Sequence, residues 1–143
     1  MSTYFIIDTN VVIAGLLTAH ADSPVARILD GMLAAAFPFV VSEALLAEYR
    51  TVLLRPKLVE CHGLSEPEVD VILTDMARHA IVLKPADSGS NYIAPDPGDQ
   101  FLWDLLATHA DLMFVTGDQL LLQVAVMQQR IMSANEFVAQ LQH

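Results

Sequence analysis

Near the start of the chain, the residues Tyr4-Phe5-Ile6-Ile7-Asp8 place four apolar, β-favouring side chains directly before an acid. A short apolar run of this kind is typical of a strand that is buried on both faces. Segments 37–41, 81–83 and 112–115 have the same character, and 130–132 is a candidate for one more strand. The pattern therefore predicts a buried sheet of four to five strands that begins at residue 4.

Helical signals separate these strands along the chain. Ser23 and the capping boxes that begin at Ser65 and Ser133 are helix starts, whereas Pro56 is expected to end the third helix. Helices are predicted over 10–17, 24–35, 43–55, 66–79, 99–109, 119–127 and from 134 onwards, with the longest loop over 85–98. Strands that alternate with helices favour right-handed crossovers and a parallel sheet. We therefore predict a single α/β domain over residues 1–143, a Rossmann-like three-layer α/β/α sandwich with a central parallel sheet.

The charge balance limits the partners that this chain can have. It contains 17 Asp and Glu against 7 Lys and Arg, and its formal net charge is −10 at pH 7. Non-specific affinity for nucleic acid comes from clustered Lys and Arg, so a basic clamp is disfavoured. If the protein handles nucleic acid, another group must supply the positive charge.

Composition also argues against disorder and against a membrane span. The chain is 54% hydrophobic and only 17% charged, which is too apolar for a disordered protein. No apolar run approaches the ~18 residues that cross a bilayer, and the first residues lack the basic region of a signal peptide. Cys61 is the single cysteine, which allows no internal disulfide and suits a reducing compartment. We expect a cytoplasmic protein that does not contact membranes.

Four carboxylates are expected to meet at one edge of the sheet. Asp8 directly follows the first strand, Asp118 follows the fourth, and Asp99 opens the helix before the fourth. Glu48 lies about two turns into the helix that follows the second strand. Ligands of parallel α/β sheets gather at the carboxyl ends of the strands. Converging carboxylates need shared protons or a cation, and a ligand set of oxygens alone points to Mg2+ or Mn2+ rather than zinc.

Each of these acids also has an ordinary structural explanation. Asp8 and Asp118 could each cap the helix that follows, and Asp99 would suit the helix dipole in a first turn. Glu48 could lie on a solvated helix face, although Glu43 fits that description better. The joint placement at predicted strand ends favours a shared site, because independent caps need not lie on one edge.

Four segments carry a resemblance by their order and spacing. They are Asp8-Thr9-Asn10-Val11-Val12; Ser42 followed by Glu48-Tyr49 and Leu53-Leu54-Arg55-Pro56-Lys57; Asp96-Pro97-Gly98-Asp99; and Val115-Thr116-Gly117-Asp118. Together they resemble the PIN domain family, and more narrowly its VapC-like toxin components of toxin-antitoxin systems. The similarity covers essentially the whole chain, including Asn135-Glu136-Phe137.

This resemblance implies an α/β/α sandwich in which three or four acids hold Mg2+ or Mn2+ for the hydrolysis of RNA phosphodiester bonds. It also implies a homodimer and, for a toxin, an antitoxin protein as partner. The implied catalytic and metal-binding residues are Asp8, Glu48, Asp99 and Asp118, and the implied polar residues beside the metal are Thr9, Asn10 and Thr116. The expected function is a metal-dependent endoribonuclease that uses water as its nucleophile.

Some positions depart from the family pattern or have two explanations. Asp96 and Asp104 lie near Asp99, so three acids compete for the third metal position. Asp99 and Asp104 are roughly 140° apart around a helix, so they cannot both face one metal, and Asp99 is nearer the helix start. Trp103 is either a core residue or a platform for base stacking.

Positive charge is concentrated in one short segment. Arg50, Arg55 and Lys57 are three of the seven basic side chains and are the candidates for contacts with RNA phosphates. Salt bridges to neighbouring acids are the alternative explanation for them.

Two other classes of function compete with a nuclease. Aspartate-based phosphoryl transfer, as in receiver domains or haloacid-dehalogenase-like phosphatases, also puts acids after parallel strands. Asp8-Thr9-Asn10, however, lacks the second acid two positions on that such phosphatases use. A catalytically weak or inactive PIN domain would instead bind proteins through its apolar segments 11–17 and 25–33.

Overall fold

The computed structural model describes residues 3–85, 98, 100–122 and 130–141. The described residues form five strands, one at each position that the sequence predicts. They are β1 (Tyr4–Ile7), β2 (Val40–Val41), β3 (Ile81–Val82), β4 (Leu112–Val115) and β5 (Ile131–Met132). Asp96 and Asp99, with most of the predicted 85–98 loop and the end of the predicted 119–127 helix, lie outside the described residues.

Every strand pair in the described chain is parallel, as predicted. One sheet has the order β1-β4-β5, with Ile7 beside Val115, and β2 pairs with β3 in a second sheet. The two sheets adjoin through one parallel bridge between Phe5 and Phe39, where the Phe5 amide donates to the Pro38 carbonyl at 3.2 Å. The expected sheet of four to five strands is therefore divided into three strands and two. The α/β class and the α/β/α arrangement are confirmed.

Helices connect these strands, and their bounds are close to the predicted ones. They are α1 (Thr9–Leu17), α2 (Pro24–Leu33), α3 (Glu43–Leu53), α4 (Pro56–His62), α5 (Glu66–His79), α6 (Gln100–Leu106), α7 (Gln119–Leu122) and α8 (Ala134–Leu141). Helix α4 was not predicted from the sequence. Pro56, which was expected only to end α3, is also the first residue of this short helix, where a missing N–H costs nothing.

The predicted helix starts are confirmed by their capping bonds. The side chain of Ser23 accepts from the Ala26 amide, and that of Ser42 accepts from the Leu45 amide. Ser65 forms a reciprocal capping box with Glu68 at the start of α5. The Ser133 and Glu136 side chains likewise each accept from the other's backbone amide at 3.1 Å. These local bonds fix where each helix leaves the sheet.

The core lies between the sheets and the helices. Ile6, Ile7 and Leu45 are completely buried, and each such side chain contributes about 1.5–3 kcal/mol by leaving water. Phe137 of α8 contacts Phe5 of β1 edge-on with ring centroids 4.6 Å apart. The last helix is therefore anchored on the central strand, and this fixes the strand ends from which the polar side chains project.

The apolar segments 11–17 and 25–33 pack largely against each other. A Cβ atom added to Gly15 would lie 2.5 Å from the Val25 carbonyl oxygen, so glycine is needed for α1 and α2 to approach this closely. Among the described residues, the large apolar side chains that are clearly exposed lie elsewhere: Val71, Ile81, Val82 and Leu141. No helix in the described ranges is long and apolar enough to cross a membrane.

Candidate active site

Asp8 lies at the carboxyl end of β1 and is almost completely buried, with 8% of its surface exposed. It is the N-cap of α1, and its Oδ1 accepts a hydrogen bond from the Thr9 amide at 2.8 Å. The capping explanation for Asp8 is therefore correct. The cap uses only one of the two carboxylate oxygens, so a cap and a functional role are compatible.

The second carboxylate oxygen of Asp8 belongs to a hydrogen-bond chain between two strand ends. Its Oδ2 accepts from the Thr116 hydroxyl at 2.7 Å and from the Asn10 amide group at 3.2 Å. The fully buried Thr116 hydroxyl in turn accepts from the backbone amide of Asp118 at 3.0 Å. Asn10 Oδ1 also accepts from the Gly117 amide at 3.0 Å. Asp8 and Asp118 are thus held at the same edge of the sheet, as the sequence predicts, although 110 positions separate them.

Glu48 reaches this edge from α3. It is half-buried and lines the same cleft as Asp8 and Asp118, whereas Glu43 on the same helix is exposed and lines a different depression. Three of the four predicted acids, Asp8, Glu48 and Asp118, thus line one cleft. The fourth, Asp99, lies outside the described residues.

A buried tyrosine next to Glu48 joins α3 to the end of β1. The Tyr49 hydroxyl donates a hydrogen bond to the carbonyl of Ile7 at 2.5 Å. Burial, and to a smaller extent the negative charge of Asp8, raise the pKa of Tyr49 well above its ordinary value of 10.0. The sequence indicates only that Tyr49 lies on the apolar face of α3, because its hydroxyl's partner is distant in the chain.

The acids line an open cleft of about 550 Å³. Its charged and polar lining consists of Asp8, Thr9, Asn10, Glu48, Arg55 and Asp118. Its apolar lining includes Ile13, Leu17, Val52, Leu58, Phe101 and Leu102. The apolar side was not predicted from the sequence, because it is assembled from α1, α3, α4 and α6, and α4 itself was not predicted.

Two residues that the sequence left ambiguous are placed by the structure. Asp104 is half-buried and accepts a hydrogen bond from the Gln100 side chain at 3.0 Å, and it does not line the cleft as described. Trp103 is 4% exposed and belongs to the core, which agrees with the first of its two explanations. Asp96 lies outside the described residues.

The three candidate RNA contacts have different surroundings. Arg50 forms salt bridges with Asp70 and Glu66, which raise the pKa of its guanidinium, so the salt-bridge alternative describes this residue. Arg55 is exposed and lines the cleft. Lys57 is exposed in the first turn of α4 and is not part of the described cleft lining.

The donor atoms of the cleft fit a hard divalent cation. Carboxylates from β1, α3 and the segment after β4 line one space, and oxygen donors are the ligands that Mg2+ and Mn2+ prefer. The buried hydroxyl of Thr9 has no hydrogen-bond partner among the described residues, so it can serve a ligand or water. Among the residues that the structure describes, no three His, Cys, Asp or Glu side chains lie close enough together to enclose an ion. The described acids thus form an incomplete ligand set, and Asp99 lies outside it.

Comparison with known proteins agrees with the fold and the strand-end acids. A sequence profile of the PIN domain matches residues 4–120, which include β1 through β4 and every site residue named above. No curated protein matches this chain. PIN domains are generally nucleases and typically use divalent metals, which suits the donor chemistry of the cleft. With most of its length covered by this match, the chain belongs to the PIN domain family.

Proposed function

We propose that this protein is an endoribonuclease that hydrolyses RNA phosphodiester bonds and depends on Mg2+ or Mn2+. The observation that carries the proposal is the hydrogen-bond chain from the Asp8 carboxylate through the Thr116 hydroxyl to the Asp118 backbone amide, which joins the ends of two strands at the cleft that Glu48 also lines. Asp8, Glu48, Asp99 and Asp118 would hold the ion, with Asp99 assigned by the family resemblance. Thr9, Asn10 and Thr116 act as the polar groups beside it.

The residues of the cleft would orient the carboxylates that hold the ion and attract the RNA phosphates. A divalent ion held there would supply charge stabilisation at the phosphate oxygens and make water more acidic. The Thr9 amide, the Asn10 amide group and the Thr116 hydroxyl hold both oxygens of Asp8 in fixed directions. Such hydrogen bonds to a ligating carboxylate set its orientation and basicity. Arg55 is the cation in the cleft lining, and it would attract the RNA phosphates to this site.

The net charge of −10 supports this mechanism rather than a basic clamp. Up to four of the negative charges belong to the proposed ion site, so the ion supplies positive charge where the phosphate must approach. The remaining acidity repels RNA elsewhere on the surface. We therefore expect weak intrinsic affinity for RNA and strong dependence on divalent cations.

We also propose a role as the toxin component of a toxin-antitoxin system, acting in the cytoplasm as a homodimer of a single PIN-like domain. The VapC-like motifs support the toxin role, and the acidic composition suits a basic segment of an antitoxin. Expression in a bacterial host tests the toxin role. Growth arrest by the wild type but not by Asp8→Asn is expected, and normal growth with both would contradict it. A monomer by light scattering at working concentration would contradict the homodimer.

Cleavage of structured and single-stranded RNA with Mg2+ or Mn2+ tests the nuclease. Asp8→Asn, Asp118→Asn and Glu48→Gln are expected to lose cleavage. Glu43→Gln, on the same helix as Glu48 but outside the cleft, should retain it. Equal cleavage by the wild type and all variants, or no cleavage of a broad RNA panel with Mn2+, would contradict the proposal. Phosphorylation of Asp8 by acetyl phosphate would favour a receiver-like function instead.

A further inference from the structure

The cleft has a second side that the hydrolysis of a phosphodiester does not use. Beside the acids, Ile13, Leu17, Val52, Leu58 and Phe101 form an apolar wall in the same continuous space. These apolar side chains offer no favourable contact to water, a metal ion or a phosphate. The apolar wall therefore points to a part of the substrate other than the phosphate.

Phe101 is the one aromatic residue among the described residues that line the cleft. It is half-buried and packs partly against the core, so its position is supported while part of its surface is accessible. Trp103, two positions further along α6, is buried and cannot serve as a platform. Phe101 thus has the combination of support and exposure that a stacking surface requires.

We propose that the apolar wall is a subsite for an unpaired nucleobase next to the scissile phosphate, with Phe101 as its stacking platform. The inference rests on the proposed nuclease function and adds to it the residues that would hold a base beside the cleaved bond. Bases of single strands stack on aromatic side chains with little dependence on sequence. An RNA duplex keeps its bases stacked inside the helix and cannot present one to the wall.

The charges of the cleft favour a nucleotide over an apolar protein segment. A nucleotide combines an anion, which Arg55 and a cation at the carboxylates would attract, with a flat apolar base a few bonds away. A purely apolar segment would cover Arg55 and Glu48 without offering them a partner, and burying charges in this way is costly. A volume of about 550 Å³ is in the range of small-ligand sites and is too small for a duplex.

A fluorescent base tests the subsite directly. A short single-stranded RNA carries 2-aminopurine, whose emission is quenched by stacking, at each position in turn. Binding is measured in the Asp118→Asn background, which keeps the RNA intact, and cleavage is measured with Asp118 retained. We expect quenching at one position, and Phe101→Leu should remove it and raise the Kd on the order of 10-fold. Phe101→Tyr, which keeps a ring, should preserve both.

Matched controls separate stacking from loss of structure. Tyr4→Leu makes a similar change in a half-buried aromatic residue at the opposite end of β1, and it should leave quenching and Kd unchanged. Annealing the RNA to its complement should abolish quenching. Thermal denaturation should show that each variant is folded. If Phe101→Leu does not fold, Phe101→Tyr still tests the subsite, because its quenching and Kd should match those of the wild type.

The outcomes distinguish the subsite from the nuclease. The subsite would be contradicted if Phe101→Leu changed neither Kd nor quenching, or if the duplex bound as tightly as the single strand. In that case a protein segment would be the better candidate for the apolar wall. Cleavage by the wild type with no effect of Phe101→Leu would likewise contradict the subsite while supporting the nuclease. Phe101-dependent quenching without any cleavage by the wild type would support the subsite and contradict the nuclease.

Discussion

The hydroxyl of Tyr49 donates a hydrogen bond to the carbonyl of Ile7, the residue directly before Asp8. Tyr49 is completely buried and directly follows Glu48 in α3. One bond therefore fixes the distance between the helix that carries Glu48 and the strand end that carries Asp8. Tyr49 is not among the residues that line the described cleft, and we regard it as a positioning residue for the two carboxylates.

Replacing Tyr49 with phenylalanine should weaken cation binding as well as the fold. The lost buried hydrogen bond costs about 1–2 kcal/mol of stability. Loss of groups that orient ligands typically reduces metal affinity, and we expect a drop of about 10-fold for Mn2+. Isothermal titration calorimetry of the metal-free protein with Mn2+ measures this affinity without any RNA.

Ser42→Ala is the matched control for this variant. Ser42 is also buried, caps the same helix through the Leu45 amide, and does not line the described cleft. Its removal should cost about 1 kcal/mol of stability and leave the affinity for Mn2+ nearly unchanged. Equal losses of affinity in both variants would mean that Tyr49 acts only through stability.

Alkaline pH should destabilise the wild type more than Tyr49→Phe. The folded-state pKa of Tyr49 is raised above the ordinary value of 10.0, so its stabilising effect is complete below pH 10 and decreases as pH rises through the folded-state value. The decrease amounts to about 1.4 kcal/mol per pH unit for one such proton. Urea unfolding of both proteins between pH 8 and pH 11 measures it, and parallel curves would contradict the prediction.

Thr116→Val should disconnect Asp8 from the Asp118 backbone at nearly constant side-chain volume. The substitution removes the donor to Asp8 Oδ2 and the acceptor of the Asp118 amide, at a cost of about 1–3 kcal/mol. We expect a smaller Mn2+-dependent rise in melting temperature than in the wild type. Thr116→Ser keeps the hydroxyl and should restore most of that rise, and a failure to do so would point to packing instead.

Arg55 and Arg50 should differ in their effect on RNA binding, although only five positions separate them in the sequence. Arg55 lines the cleft, whereas Arg50 is held by Asp70 and Glu66. Arg55→Ala should weaken binding and reduce the slope of log Kd against log salt by about 0.7, the value for one single-strand phosphate contact. Arg50→Ala should change neither. Titrations in the Asp118→Asn background at several salt concentrations measure the slope, and equal slopes in all three proteins would contradict the assignment.

The features set by local sequence were predicted well. The apolar run at Tyr4, the serine caps and the capping boxes at Ser65 and Ser133 depend on near neighbours, and the structure confirms them. The edge shared by Asp8 and Asp118 follows from strand order alone, because parallel strands end on the same side. The PIN family also follows from the order of the motifs.

The features that depend on distant partners were not predictable. The helix at Pro56 was missed for a different reason: a proline can either end one helix or begin another, and the sequence alone does not show which of these roles it has. The partners of Arg50, at Glu66 and Asp70, and the carbonyl that Tyr49 contacts become neighbours only after folding. The apolar wall was missed for the same reason.

The division of the strands into two sheets has a consequence for stability. Asp8 and Asp118 follow strands of the β1-β4-β5 sheet, whereas Glu48 lies in the helix that follows β2 of the other sheet. One bridge at Phe5 and Phe39 joins the two sheets. Carboxylates that close on a common ion would act as a reversible cross-link between two separately hydrogen-bonded units. Chelation should then loosen this junction before it unfolds either sheet, and faster hydrogen exchange at the Phe5 amide would report it.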